Sequence, residues 1–449
     1  MRINGTFDLT QGDRSWAYAA FILGLSLTTN VAYVFKIGNT PVYVGYVVAV
    51  LLAIPLFLRD LKSGGPHLGM FDKSLWAFTL VCFLSLFPSI AAAAMGFAPG
   101  DTPLTVLKGL IVFVCGILIY YVVVSLETHI RYLVIGLALG IIINGIFCVA
   151  QQVAFESGSY FSLYSLFPQD SFAVSAKWEI WSSLPLGAGH INVFRPQGLF
   201  LETSHLMVFL VCFVPFVFLD LQNSAAKAAV SVCALYACLT SMSPNSIFLI
   251  IEVLILTALH FSGGLTKLRL SDVRFNPFVI LFALAVLLVS LFALFSKPEL
   301  LSGAFDSLGR SLTDLNITST TDDGTLERWD SMVKALSAIS YFPFGSGWNT
   351  ESQVLTFIYG SSDVASHSFA IRLLLETGII GLLSYVYLII RHSLRLVLTE
   401  SPRTISIGIG ALFMLLCQFT NGTSMVPWVW ALLGLAQSEI LRIGRSDRE

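Results

Sequence analysis

Charge is what this chain has least of. Only 12% of its 449 residues are Asp, Glu, Lys or Arg, about half the share of an ordinary soluble domain. That scarcity excludes soluble enzymes, nucleic-acid-binding proteins and disordered scaffolds. The net charge of −2 offers no basic surface to a polyanion, so no nucleic acid partner is expected. Cysteine is sparse too. The seven (Cys82, Cys115, Cys148, Cys212, Cys233, Cys238 and Cys417) all lie in apolar runs, and the close pair Cys233–Cys238 lacks CxxC spacing. They read as small core side chains rather than disulfides or zinc ligands, and no metal or cofactor is expected. No signal peptide is expected either: residues 1–15 are polar, and the first helix is expected to direct membrane insertion. No internal repeat is visible, which counts against transporter folds built from duplicated halves.

Apolar length is what the chain has in excess. Hydrophobic residues make up 56%, and the mean hydropathy is +0.81. They run in blocks of about 18 to 22 residues, enough for a helix to cross roughly 30 Å of hydrocarbon. Twelve such blocks predict an all-α integral membrane protein, with spans over 16–35, 41–58, 75–97, 106–125, 132–155, 199–219, 226–241, 244–261, 276–296, 369–390, 404–420 and 424–441. The organisation expected is helices one to five in 1–155, a first long loop over 156–198 and helices six to nine in 199–296. A large loop over 297–366 and the last three helices in 367–449 complete it.

Sixteen of the 25 basic residues fall in the termini and the short connections on one side. Lys and Arg accumulate on the cytoplasmic side, so both termini are expected inside and the two long loops outside. Long loops in compact proteins are usually functional. The first is rich in Tyr, Phe and Trp (Tyr160, Phe161, Tyr164, Phe167, Trp178, Trp181), as suits the headgroup layer. In the second, Leu326, Trp329, Val333, Leu336 and Ile339 recur at helical spacing with polar residues between them. That pattern predicts an amphipathic helix, ended by Pro343-Phe344-Gly345-Ser346-Gly347.

Three groups of residues at the outward side could carry chemistry. Arg195-Pro-Gln-Gly198-Leu-Phe-Leu-Glu202-Thr-Ser204-His205 runs from the first loop into the sixth span. Glu202 and His205 share a helix face, and an ionisable pair inside a membrane helix needs water, a partner or a substrate. A pair that merely orients two helices is the plainer reading. Arg328, on the loop helix between Glu327 and Asp330, reads alone as a solvated ion pair. His367-Ser368 opens the tenth span, followed nine residues later by Gly378-Ile-Ile-Gly381. A histidine there can accept a proton near neutral pH or simply hydrogen-bond at the interface, and the glycines permit close helix packing. Arg372 and Glu376 are expected to neutralise each other or to pair with Glu252. Two arginines and a histidine converging at one membrane face would suit transfer of a sugar from a lipid diphosphate. Guanidinium forks match phosphate oxygens, and a neutral imidazole can take the proton of a sugar hydroxyl.

The stretch Arg328 … Pro343-Phe-Gly345-Ser-Gly347 … His367-Ser368-(nine)-Gly378-Ile-Ile-Gly381 resembles the signature region of the O-antigen ligase and O-antigen polymerase superfamily. Arg195-x-x-Gly198-x-Phe200-x-Glu202-Thr203-Ser204 is similar to a segment of its polysaccharide polymerases. The resemblance implies a GT-C-like fold in the bacterial inner membrane. It implies a metal-independent glycosyltransferase whose donor is an undecaprenyl-diphosphate-linked glycan, with a separate chain-length regulator protein as a partner. Carried over, Arg195 and Arg328 hold the diphosphate and His367 activates the acceptor hydroxyl. Glu202 is the alternative base, with Ser204, His205 and Ser368 at the substrate. The chain departs from the pattern at Ser243-Pro244-Asn245-Ser246, where many members carry Ser-Arg. It departs again at Met332, a family tryptophan, and at Thr203, a proline in the polymerase form. A polymerase is expected first, a ligase acting on lipid A-core second, and a lipid-linked oligosaccharide flippase third.

Overall fold

The computed structural model describes residues 11–29, 33–37, 40–62, 70–157, 183–186, 189–192, 196–200, 202–241, 243, 245–261, 323–361, 364–399, 401–420 and 425–446. Helices dominate. They are α1 (Gln11–Ser26), α2 (Val44–Lys62), α3 (Lys73–Leu84), α4 (Leu86–Ala94), α5 (Thr102–Ser125), α6 (Ile130–Glu156), α7 (Thr203–Asp220), α8 (Ser224–Ser241) and α9 (Ser246–Phe261). After the next described stretch begins come α10 (Asp323–Ala338), α11 (Glu351–Tyr359), α12 (Phe369–Val397), α13 (Pro402–Thr420) and α14 (Pro427–Ser446). Two antiparallel hairpins add β1 (Tyr33–Ile37) with β2 (Thr40–Tyr43), and β3 (Ser183–Leu186) with β4 (Gly189–Asn192).

Among the described residues, eight spans are long and apolar enough to cross a membrane: Val44–Lys62, Lys73–Ala94, Thr102–Ser125, Glu127–Phe155, Thr203–Asp220, Ser224–Ser241, Phe369–Val397 and Pro402–Phe419. The protein is a multi-pass membrane protein. Large apolar side chains such as Leu51, Phe87, Leu254 and Ile380 remain well exposed, as lipid-facing positions do. The expected span at 276–296 and the aromatic residues of the first long loop lie outside the described residues.

One expected span is corrected and another is refined. The first, 16–35, stops at Ser26, and Tyr33–Ile37 is a strand paired with β2. The cause is local: the hydroxyls of Ser26, Thr28 and Thr29 donate back to the carbonyls of Leu23, Leu25 and Ser26 at 2.8, 2.7 and 3.0 Å. Such side-chain bonds compete with continued helix. The third, 75–97, is present as the span Lys73–Ala94, broken into two helices at Ser85. Pro88 cannot donate to the carbonyl four residues back and crowds it. The expected loop helix is present as α10, extended by a short turn of tighter helix over Ile339–Tyr341. The second helix of that loop, α11, had no counterpart in the sequence reading.

Small residues bring the helices together. A methyl on Gly24 of α1 would fall 2.2 Å from the Leu133 carbonyl of α6, and one on Gly136 equally near that of Phe21. Close backbone approach of this kind packs membrane helices. The centre holds interlocking aromatic rings. Phe113 stands edge-on to Trp348 at 5.1 Å and to Trp430 at 5.0 Å, and Phe78 meets Tyr385 at 5.2 Å. None of the seven cysteines, all among the described residues, forms a disulfide, and Cys82, Cys148, Cys212, Cys238 and Cys417 are buried.

Candidate functional site

The first part of the site is the segment that enters α7. Polar side chains of α6 clamp it. Gln151 Oε1 accepts from the amides of Gln197 and Gly198 at 3.1 and 3.0 Å, while its Nε2 donates to the Gly198 carbonyl at 3.3 Å. Two turns back, Asn144 Oδ1 accepts from the Leu199 amide at 2.7 Å. Asn144 is itself fixed by donating to the carbonyls of Thr28 and Gly140. Phe200 is fully buried and packs on Phe209 at 5.2 Å. Arg195 lies outside the described residues, two positions before this clamp.

Glu202 occupies the cap position of α7 in extended conformation, and its carboxylate accepts from the Ser204 hydroxyl at 2.8 Å. His205, partly buried, follows within the first turn.

The second part surrounds the Pro343–Gly347 turn. Helix α12 is interrupted at Gly378, whose φ of 69° and ψ of −174° are far from helical. Only glycine adopts that region readily. At the interruption, the Leu375 and Glu376 carbonyls accept from the amides of Ser346 and Gly347, each at 2.8 Å. The turn thus docks into the break. A methyl on Gly345 would fall 2.5 Å from the Glu376 carbonyl, and one on Gly347 2.4 Å from Val106. Sequence alone suggested that Gly378 and Gly381 pack against another helix. Gly378 instead faces Pro343 and Phe344 of the turn, and Gly381 faces Thr377 of its own helix. On the far side, the Trp348 amide donates to the Ser85 hydroxyl at 2.9 Å, so the break between α3 and α4 receives the same turn.

An ion-pair cluster lies beneath. Arg372 Nε bonds Glu376 at 2.9 Å and lies 3.5 Å from Glu351, and its Nη2 donates to Asn349 at 3.0 Å. Of the two partners the sequence left open for Arg372, it is Glu376 that pairs. Glu252 is buried in α9, and its oxygens have no hydrogen-bond partner among the described residues. Glu351 also accepts from the Ser366 amide at 2.7 Å, and Ser366 immediately precedes His367.

His367 is exposed and adopts a φ of 50°, a left-handed conformation costly for a residue with a Cβ. Ser368 is buried. It caps α12 by accepting from the Ile371 amide at 3.4 Å, and its carbonyl accepts from the Ser366 hydroxyl at 3.0 Å. A strained, exposed histidine is therefore held between a capped helix and an anchored loop. Arg328 lies in the first half of α10, its side chain outside the described residues. The second half of α10 buries Ala335 and Ala338 against Val354, Leu355 and Leu375. The Tyr359 hydroxyl ties α11 to it through the Lys334 carbonyl at 2.8 Å.

Both parts lie at one end of the bundle. Helices α12 and α13 form a hairpin through 398–401, and Arg403 at the start of α13 bonds Asp220 at the end of α7 at 2.8 Å. Midway, Cys212 of α7 meets Gly410 of α13. Both α7 and α12 thus run antiparallel to α13, and their starts, Glu202 to His205 and His367 to Ser368, share the opposite end. At the other end sit Arg59 with Asp60, Arg391 with Asp72, Arg403 with Glu439 and Arg445 with Glu127. Among the described residues, no group of three or more His, Cys, Asp or Glu side chains could hold a metal ion.

The family model described as O-antigen ligase matches residues 229–386. Over that stretch, about a third of the chain, the sequence is similar to the O-antigen ligase family, which supports ligase- or polymerase-type function in a general sense. The matched domain takes in Arg328, the Pro343–Gly347 turn, His367, Ser368 and the Gly378–Gly381 pair. Arg195 to His205 precede it. Neither the curated proteins nor the solved structures yield a match.

Sequence reasoning missed Asn144, Gln151, Ser85 and the partnership of Glu351 with Arg372. Asn144 and Gln151 carried a signal, being polar side chains in an otherwise apolar span. Glu351 carried none, because its partners lie 15 and 21 positions away along the chain.

Proposed function

We propose that this protein is an inner-membrane glycosyltransferase that takes a glycan from undecaprenyl diphosphate at the periplasmic face and polymerises repeat units of a surface polysaccharide. The observation that carries the reading is the O-antigen ligase domain at 229–386, which contains the docked turn and the strained His367 beside it. In the reaction, the acceptor sugar hydroxyl attacks the donor's anomeric carbon. The bond from that carbon to the diphosphate oxygen breaks, and the hydroxyl proton passes to His367. Arg195 and Arg328 neutralise the charge that grows on the departing diphosphate, as cations aimed at a developing anion do. Ser368, Ser204 and His205 line the acceptor, and Glu202 is the alternative base. No nucleotide sugar and no metal enters. The basic residues gathered at the far end support inward termini and a periplasmic site. The outward loops over 156–198 and 297–366 would cover it, and a separate chain-length regulator would bind beside it. Ligation to lipid A-core is the second reading, favoured by the description of the matched family model.

Deleting the gene and sizing the surface glycan tests the reading. Ladders that collapse to a single repeat on the lipid anchor are the polymerase outcome. Long chains stranded on undecaprenyl diphosphate are the ligase outcome. Complementation with His367→Ala should leave the deletion pattern unchanged while the protein inserts normally. Normal chain lengths in that strain would remove His367 from the reaction.

A further inference from the structure

Lys108 stands out among the cations of the chain. It lies six residues inside α5, within a span that crosses the membrane, and is half-buried. No hydrogen bond or ion pair partners it among the described residues. The acid on its own helix face, Asp101, is occupied by the Gln353 amide at 2.6 Å. Unneutralised charge in a membrane helix is rare and marks an ion or substrate path.

Its surroundings are those of the candidate site. The next residue, Gly109, lies so close to the docked turn that a methyl there would fall 2.5 Å from Asn349 and 3.0 Å from Trp348. Asn349 is the residue that Arg372 holds. On the other side of Lys108 runs an exposed apolar stripe of α5: Leu104, Leu107, Ile111 and Val114, each more than a third exposed. A lysine between the stripe and the turn has its stem among apolar groups and its ammonium within reach of the interface. A lipid lying along that stripe would bring its phosphate to the ammonium.

We propose that Lys108 binds the phosphate of a lipid at the edge of the candidate site. Two lipids share that chemistry: the polyprenyl diphosphate donor, on the reading given above, and the phospholipid headgroup of the bilayer. Lysine acts here as a point charge, without the bidentate geometry of arginine, so Lys108→Arg should serve nearly as well. Lys108→Gln keeps the stem and removes the charge.

The full-length protein in phosphatidylcholine nanodiscs, titrated with undecaprenyl diphosphate and read by thermophoresis, separates the cases. Lys108→Gln should weaken binding about ten-fold, and Lys108→Arg should stay within about three-fold of wild type. A parallel series in discs of phosphatidylglycerol and phosphatidylcholine reads the headgroup by native mass spectrometry of retained lipid. An effect of Lys108→Gln confined to retained phosphatidylglycerol assigns the site to the bilayer. Wild-type protein that binds no undecaprenyl diphosphate in any disc overturns the donor reading, while the phosphatidylglycerol series still tests Lys108. Wild-type binding by Lys108→Gln in every series in which wild type binds overturns the proposal, as does absence of binding by wild type in all of them.

Discussion

The Gly347 amide donates to the Glu376 carbonyl across 2.8 Å, at a break in α12 that Gly378 creates. Gly345, Gly347 and Gly378 thus share one geometric cause: a turn from the loop completes an interrupted helix.

Gly378→Ala and Gly381→Ala should both destabilise the protein. The first forces a side chain into a glycine region, a strain of about 1–3 kcal/mol, and sets its Cβ 3.0 Å from the Phe344 backbone. The second sets its Cβ against both the hydroxyl and the Cβ of Thr377, so turning the hydroxyl away, at the loss of its bond to the Leu373 carbonyl, does not clear it. Thermal unfolding of both variants in detergent checks this, and a wild-type melting temperature for either would contradict it.

Replacing Gln151 by Leu should loosen the segment that follows Arg195. Two amides, those of Gln197 and Gly198, lose their acceptor, at about 1–3 kcal/mol for each buried group left unsatisfied. Gln151→Glu keeps the acceptor and should cost less. Proteolysis within the first long loop reads the difference: the leucine variant is cut faster.

Arg372→Met strands the carboxylate of Glu376, which is only 1% exposed. Breaking one partner of a buried pair costs about 3–5 kcal/mol. Adding Glu376→Gln to Arg372→Met removes the stranded charge and should recover part of the loss. A double variant no more stable than the single would place the cost in packing instead.

Asp72 gives a pH dependence. Burial pushes its carboxyl up, but the hydroxyl and amide of Ser74 and the charges of His392 and Arg391 hold it below the ordinary aspartate value. A carboxylate lowered in the folded protein stabilises above its unfolded pKa, and that stability is lost as pH falls through the folded one. Asp72→Asn, which gives up the partly exposed Arg391 and Arg395, should cost on the order of 1 kcal/mol at neutral pH. The gap in melting temperature between it and wild type should be level from pH 8 to 5 and close only below about pH 4. A gap that closes between pH 7 and 6 would point to a histidine instead.

Much of this was legible in the residues. Apolar blocks of membrane length announced the helices, because a lipid core demands continuous intrahelical hydrogen bonding. The spacing of Leu326, Val333, Leu336 and Ile339 announced α10. The ends of elements were less legible. At Ser26 three successive hydroxyls redirect the backbone, and at Ser85 a proline three residues later does so, within runs whose hydropathy never falters. Least legible was the Glu351–Arg372–Glu376 cluster, since pattern along a chain carries nothing about which loop residue meets which helix.

The bond from Trp348 to Ser85 joins positions 263 residues apart. The segments it joins leave the ribosome far apart in time. The break at Ser85 must wait in the bilayer, its hydroxyl without the amide it will later receive, until α12 has been threaded and the turn can fold back. A chain stopped before Gly378 cannot build this turn, so the joint between the two halves of the bundle forms only after α12 has been made.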